Sequence, residues 1–284
     1  DLSHPAVLEG ALHEAVLDAL RAVPHYGLGY HAGFSYLPEP RLHDVSCPIA
    51  VVAAEGDVLL PHLDRLPGDV AGLRAERLPA DQRARLERIA DLLAEATADA
   101  STGLPEPAQP ATRPGRITRT YAGTRYGQLL ARRTGDAPGR PLVLLHGSPT
   151  SARDLEPLIA ALAPQRPLIA FDTLGNGDSD KPDPGRHPQF AHPAMHDYAP
   201  VVLEAIDALG VADFDLYGTH TGAAIATETA ILAGGRARNV ILDGVAMFDT
   251  ETVADFLANY FIDLSPRWDG THLIAAWSVY RDST

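Results

Sequence analysis

Residues 214–225 read FDLYGTHTGAAI: a short apolar run, a turn bracketed by Gly218 and Gly222, and a small-residue helical pattern that continues to Leu232. The run Phe214–Tyr217 predicts a buried strand, and Thr221–Leu232 predicts a helix. A strand that turns at once into a helix brings two backbones close together, and glycine at both ends of the turn allows that approach. The middle residue, His220, is then held above the end of the strand. Its ring meets the positive end of the following helix, which favours the neutral imidazole.

The same alternation extends on both sides of this stretch. Arg116–Tyr121 and Arg125–Arg133 predict a hairpin. Pro141–Leu145 and Pro167–Phe171 are apolar runs of the fully buried kind, and Val240–Leu242 is a further strand, ending at Asp243. Ala152–Leu162 and Val201–Leu209 have helical spacing between them. Before the hairpin come a helix at Pro5–Ala22, a buried strand at Ile49–Ala53 and a weaker strand at Gly72–Leu78. A helix at Asp81–Leu93 follows, with Asp81 as its N-cap and Leu86, Ile89, Leu92 and Leu93 facing inward. Strands alternating with helices predict a doubly wound, mostly parallel α/β sheet covered on both faces.

Two loops complete the pattern. His146-Gly147-Ser148-Pro149-Thr150-Ser151 follows the strand ending at Leu145. DTLGNGDSDKP (172–182) follows the strand ending at Phe171. With GTHTG (218–222), which has the layout of a nucleophile elbow, these loops resemble the α/β-hydrolase superfamily. The nearest likeness is to its haloalkane dehalogenase and epoxide hydrolase branch. The resemblance implies an α/β-hydrolase fold with a helical cap over the substrate. It also implies an oxyanion hole at Gly147 and Ser148, completed by the amide of Thr221.

The order of parts departs from the family. An ordinary member runs from the hairpin through the elbow and cap to an acid-bearing strand and a last helix. Here the strand ending near Asp57 and the helix at 81–93 precede the hairpin, and the chain stops inside cap-like sequence. The expectation is a circular permutant cut in the cap. Residues 1–97 then form the C-terminal half of the core with part of the cap, and 116–250 form the N-terminal half with the elbow. Residues 251–284 are the rest of the cap, and the whole makes one domain with a single sheet. The Pro-rich stretch 98–115 serves as the linker. The alternatives are two truncated hydrolases in tandem or fragments recorded out of order.

The catalytic positions depart as well. The elbow residue is normally Ser, Asp or Cys, and here it is His220. The general-base histidine normally follows the last strand, where this chain reads Leu78-Pro79-Ala80-Asp81. Asp57 matches the family's usual acid position, and Asp243 the alternative one. His220 can act as a general base or attack a carbonyl directly, with Asp57 or Asp243 orienting it. Thr219 and Thr221 are expected to hydrogen-bond locally. His146, Phe248, Trp268 and Trp277 are the candidates for the substrate pocket, and Tyr30, Phe34 and Tyr36 add aromatic character. The expected reaction is cofactor-free hydrolysis of a small apolar ester, thioester or lactone. Lyase or decarboxylase chemistry at the same site is one alternative. A catalytically disarmed ligand-binding protein is another.

Composition narrows the partners. Among 284 residues, 23 are basic and 37 acidic, for a net charge of −14. That balance argues against nucleic acid and anionic membranes, which require clustered cations. No apolar run approaches the roughly 18 residues that span a bilayer. One cysteine, Cys47, rules out an intrachain disulfide and a multi-thiolate zinc site. His187, His192 and His196 lie close in sequence, but Pro193 between them reads as a pocket or loop feature, so no metal is expected. With no signal pattern, the expected location is the cytoplasm. The expected partner is a small molecule, and oligomeric state is left open.

Overall fold

The computed structural model describes residues 9–22, 26–96, 116–135, 137–259 and 262–283. The expected linker at 98–115 and the first turn of the expected helix at Pro5 lie outside them. The chain divides into two units, Glu106–Asp255 and the remainder, Asp1–Pro105 with Phe256–Thr284.

The remainder opens on three helices: α1 (Glu9–Ala22), α2 (Tyr26–Phe34) and α3 (Pro38–Leu42). Strand β1 (Ile49–Ala54) pairs in parallel with β2 (Leu73–Leu78), from Ile49 opposite Leu73 to Ala54 opposite Leu78. Helix α4 (Gln82–Ala96) follows, and the Asp81 carboxylate caps it by accepting the Ala84 amide at 2.9 Å. Arg88 on α4 donates two hydrogen bonds to Glu76 on β2, at 2.5 and 2.8 Å. Of the four residues expected to face inward, Leu92 is buried and Ile89 half-buried, while Leu86 and Leu93 are exposed. A two-stranded sheet is too narrow to cover a broad apolar stripe, so only one row of α4 is buried.

In the other unit, β3 (Thr118–Thr124) and β4 (Gly127–Thr134) form the expected hairpin. They are followed by β5 (Leu142–Leu145), α5 (Glu156–Leu162), β6 (Leu168–Phe171), α6 (Met195–Ala208), β7 (Phe214–Thr219), α7 (Thr221–Ala233) and β8 (Ala237–Asp243). The strand order is β3-β4-β6-β5-β7-β8, with β6, β5, β7 and β8 parallel. Every residue of β5 and β6 is buried. Val143 and Leu145 pack in the cluster holding Val202, Ile206 and Ile225 of α6 and α7, whereas Leu142 and Leu144 pack with Ile159 of α5. Alternate side chains thus serve opposite faces, and the six-stranded sheet is doubly wound.

Two expectations need correction. The helix expected from Ala152 begins at Glu156, because residues 151–156 close successive tight turns and Pro157 has no amide for a helical bond to Arg153. The helix expected from Val201 begins at Met195, where Asp197 accepts the Ala194 amide at 2.7 Å. In the remainder β1 pairs with β2, and the other six strands form the sheet of the second unit. Strand β8 is the edge of the six-stranded sheet, and its apolar residues Val240, Ile241 and Leu242 are exposed.

After β8 come α8 (Thr250–Asn259) and α9 (Thr271–Ser283). His272 of α9 is buried, accepts the Arg267 amide at Nδ1 (3.0 Å) and meets Nδ1 of His13 on α1 with Nε2 (2.9 Å).

Candidate functional site

His220 stands between β7 and α7 with φ 48° and ψ −118°. It is the one residue other than glycine with positive φ among the described residues. Its amide donates to the Asp243 carbonyl at 2.9 Å, and its own carbonyl accepts the Ala223 amide at 3.0 Å. These bonds pin the backbone while the side chain stays exposed. A Cβ on Gly218 would lie 2.2 Å from the Gly222 carbonyl oxygen, and one on Gly222 would lie 2.3 Å from that of Leu145. Neither position tolerates a side chain, which is the steric content of the G-x-x-x-G spacing. The imidazole is flanked by two more glycines. A Cβ on Gly147 would lie 3.2 Å from His220 Cβ, and one on Gly244 3.3 Å from ring atoms Cδ2 and Nε2.

The expected oxyanion residues come together beside this ring. The Ser148 amide donates to Thr221 Oγ1 at 2.5 Å. Thr221 opens α7, where first-turn amides have no intrahelical acceptor. The Ser148 amide is thus engaged by a rotatable hydroxyl, which an incoming oxyanion would have to displace. The Gly147 carbonyl accepts the Thr150 amide (3.1 Å), the Thr150 hydroxyl (2.7 Å) and His146 Nδ1 (2.9 Å), which fixes the loop.

His146 was expected to line the pocket. It is instead buried, and its Nε2 accepts the Thr173 amide at 3.0 Å. An acceptor at Nε2 and a donor at Nδ1 describe one neutral tautomer, and burial pushes its pKa below the ordinary 6.5. It ties the loop after β5 to the loop after β6. Beside it lies the fully buried pair of Arg132 and Asp172, 2.6 Å apart. The same carboxylate accepts the amides of Ala152 and Asp178, both at 2.9 Å.

Residues 140–278 match a family model described as the alpha/beta hydrolase fold. Over that stretch the chain has the α/β-hydrolase fold. Among curated relatives, a haloalkane dehalogenase of Sphingobium indicum is 39% identical over 75 residues, covering 25% of this chain and 24% of that protein. Haloalkane dehalogenase 2 of Mycobacterium tuberculosis is 29% identical over 119 residues, covering 42% and 40%. A 2-hydroxymuconate semialdehyde hydrolase of Pseudomonas sp. (strain CF600) is 35% identical over 111 residues, covering 38% and 37%. The chain thus matches these relatives over less than half of their length. A solved N-acyl homoserine lactonase, AidH, aligns at a TM-score of 0.42 with 26% identity over 49% of each chain.

The two candidate acids sit differently. Asp243 ends β8 opposite Thr219 in the ladder, and its Oδ2 accepts the Tyr217 hydroxyl at 2.7 Å. Asp57 lies in the other unit, in the turn after β1, where its Oδ1 accepts the Leu59 amide at 2.8 Å. Within its own unit, the His220 ring meets Thr219 Oγ1 at 3.3 Å from Nδ1. Phe248 follows β8, and Trp268 and Trp277 belong to the other unit. All three are exposed. His187 packs on Tyr126, and no group of three or more His, Cys, Asp or Glu among the described residues is placed to hold a metal ion. Cys47 is exposed. No helix is long and apolar enough to cross a membrane among the described residues.

Sequence reasoning missed Tyr217 and Arg132. Tyr217 lies two residues before His220's neighbour Thr219, and strand alternation places both on one face. That spacing was the available signal. Arg132 carried none, because an arginine in a strand reads as solvent-facing until its partner is known.

Proposed function

We propose that this chain is a cofactor-independent hydrolase of a small apolar acyl compound, an ester, thioester or lactone, with His220 as the working group. The observation that supports it is the strained backbone of His220, which holds an imidazole where the superfamily places its nucleophile. Residues keep such conformations at a cost of about 1–3 kcal/mol, and they cluster at active sites. In the base mechanism, Nε2 takes a proton from water and the hydroxide oxygen attacks the carbonyl carbon. The resulting oxyanion is held by the amides of Ser148 and Thr221. The imidazolium then returns its proton to the departing alkoxide or thiolate. In the nucleophilic variant, the ring attacks the carbonyl carbon itself and expels the alkoxide or thiolate, which takes up a proton, and water later cleaves the acyl–nitrogen bond to release the acid and the free ring. Asp57 or Asp243 is the acid proposed to orient the ring. By its name, the semialdehyde hydrolase relative also acts on a small carbonyl compound. We further propose a cytoplasmic location, and that the order of parts is a circular permutation of the family order.

The test is a panel of p-nitrophenyl esters with the intact chain and His220→Ala. The expected result is a loss of turnover of about 100-fold or more, and turnover unchanged by the substitution overturns the proposal. A second reading, a disarmed member that binds a ligand, is favoured by Leu78-Pro79-Ala80-Asp81 where the base histidine belongs. It predicts no turnover on any ester and a small molecule retained through purification.

A further inference from the structure

The peptide unit between Gly147 and Ser148 is held on both sides. Its carbonyl accepts three hydrogen bonds, from the Thr150 amide, the Thr150 hydroxyl and His146 Nδ1. A trans peptide unit is planar, so its amide points away from its carbonyl. The Ser148 amide is thereby aimed at Thr221 Oγ1, 2.5 Å away. With the plane fixed on its carbonyl side, the amide does not turn to meet a ligand elsewhere. An oxyanion that used this amide directly would have to push Oγ1 aside.

A hydroxyl accepts and donates at once, so displacement is not required. Thr221 Oγ1 accepts from Ser148 and keeps its own proton to give. Among the described residues, none accepts that proton. The hydroxyl also stands on the residue next to His220 and is only half-buried. Hydrogen bonds in a chain polarise one another. Three donors on the Gly147 carbonyl strengthen the Ser148 amide as a donor, and that amide strengthens the Thr221 hydroxyl in turn.

We infer that the Thr221 hydroxyl is a catalytic donor of this site: it hydrogen-bonds the oxyanion of acyl transfer, and the Ser148 amide acts through it. This rests on the hydrolase reading above and names the side chain that meets the charge. When the hydroxide oxygen bonds to the carbonyl carbon, the carbon–oxygen π pair moves onto the carbonyl oxygen. The Thr221 hydroxyl donates a hydrogen bond to that oxygen and retains its proton. The pair returns to carbon as the alkoxide or thiolate leaves. A hydrogen bond to a charged oxygen is roughly twice as strong as one to a neutral oxygen. The hydroxyl therefore contributes more to the transition state than to the bound ester, and its loss falls on kcat rather than KM.

The test compares Thr221→Val, which keeps the branched shape without the hydroxyl, with Thr221→Ser, which keeps the hydroxyl. Both are measured as full chains on p-nitrophenyl acetate. The expected result is a kcat lowered by about 100-fold in Thr221→Val at unchanged KM, as for other lost oxyanion donors, and largely restored in Thr221→Ser. Calorimetry supplies a readout besides turnover. Its probes are mono-p-nitrophenyl methylphosphonate, a stable tetrahedral anion, and neutral, planar p-nitroacetanilide. Thr221→Val should weaken the phosphonate by about tenfold or more and leave the anilide unmoved, a split that a merely structural role does not produce. If Thr221→Val fails to melt cooperatively, Thr221→Ala takes its place and must show both losses. A hydroxyl-free variant that turns over as fast as the intact chain, or faster, overturns the proposal, because Oγ1 then only plugs the Ser148 amide. If His220→Ala abolishes turnover in the same assay, that outcome leaves the hydrolase reading standing. Phosphonate binding that depends on the hydroxyl, in a chain without ester turnover, keeps the donor and overturns the hydrolase reading instead.

Discussion

At the scale of the residue, His220 concentrates both the strain and the chemistry. Its φ of 48° is a conformation that glycine adopts freely and histidine does not. His220→Gly is therefore expected to raise the unfolding free energy by about 1 kcal/mol relative to His220→Ala. Alanine keeps the Cβ that makes the conformation costly. Both variants lose ester turnover equally. Urea unfolding of the pair checks this, and a glycine variant no more stable than the alanine one shows that the turn stores no strain. Much of this residue was legible, since the glycines at 218 and 222 and the flanking strand and helix place His220 at the elbow. Its neighbours were not. Thr219 and Tyr217 are ordinary strand residues until β8 is laid beside β7 and brings Asp243 opposite them.

At the scale of the element, the loops after β5 and β6 are held by buried polar groups rather than by helix or sheet. Arg132 and Asp172 are both fully buried, and Asp172 carries two backbone amides besides the guanidinium. Arg132→Met leaves that carboxylate buried without its countercharge. Breaking a buried pair in this way costs about 3–5 kcal/mol. Urea titration should show a loss of that size, and a loss below about 1 kcal/mol would mean that the two amides alone satisfy Asp172. The apolar runs at 142–145 and 168–171 were readable as strands because both faces are buried. Helix boundaries were less so. Pro157 delays α5 and Asp197 advances α6, and both are local hydrogen-bonding effects that apolar periodicity does not register. The narrowness of the β1–β2 pair, which leaves Leu86 and Leu93 exposed, was likewise not in the helical pattern of α4.

At the scale of the whole molecule, the order of parts is the unusual feature. The parallel pair β1–β2 and the helix α4 stand before the hairpin. If that order is a permutation, a chain rebuilt as residues 116–284 followed directly by 1–97 contains the same elements in the family sequence. It is expected to melt in one cooperative transition and to keep the ester turnover of the original. Two independent transitions, or a rebuilt chain that does not fold, would favour a tandem of partial hydrolases.

The sequence by itself determined the strand–turn–helix around His220, the two loops that flank it and a doubly wound, mostly parallel sheet. Each of these rests on local steric and periodic constraints carried by adjacent residues. Only the tertiary structure decided that His146 is a buried brace, that Arg132 neutralises Asp172, and that β1 pairs with β2. It also decided that Asp243 accepts the Tyr217 hydroxyl. These are contacts between residues far apart in the chain, and their partners are chosen by which strands hydrogen-bond side by side.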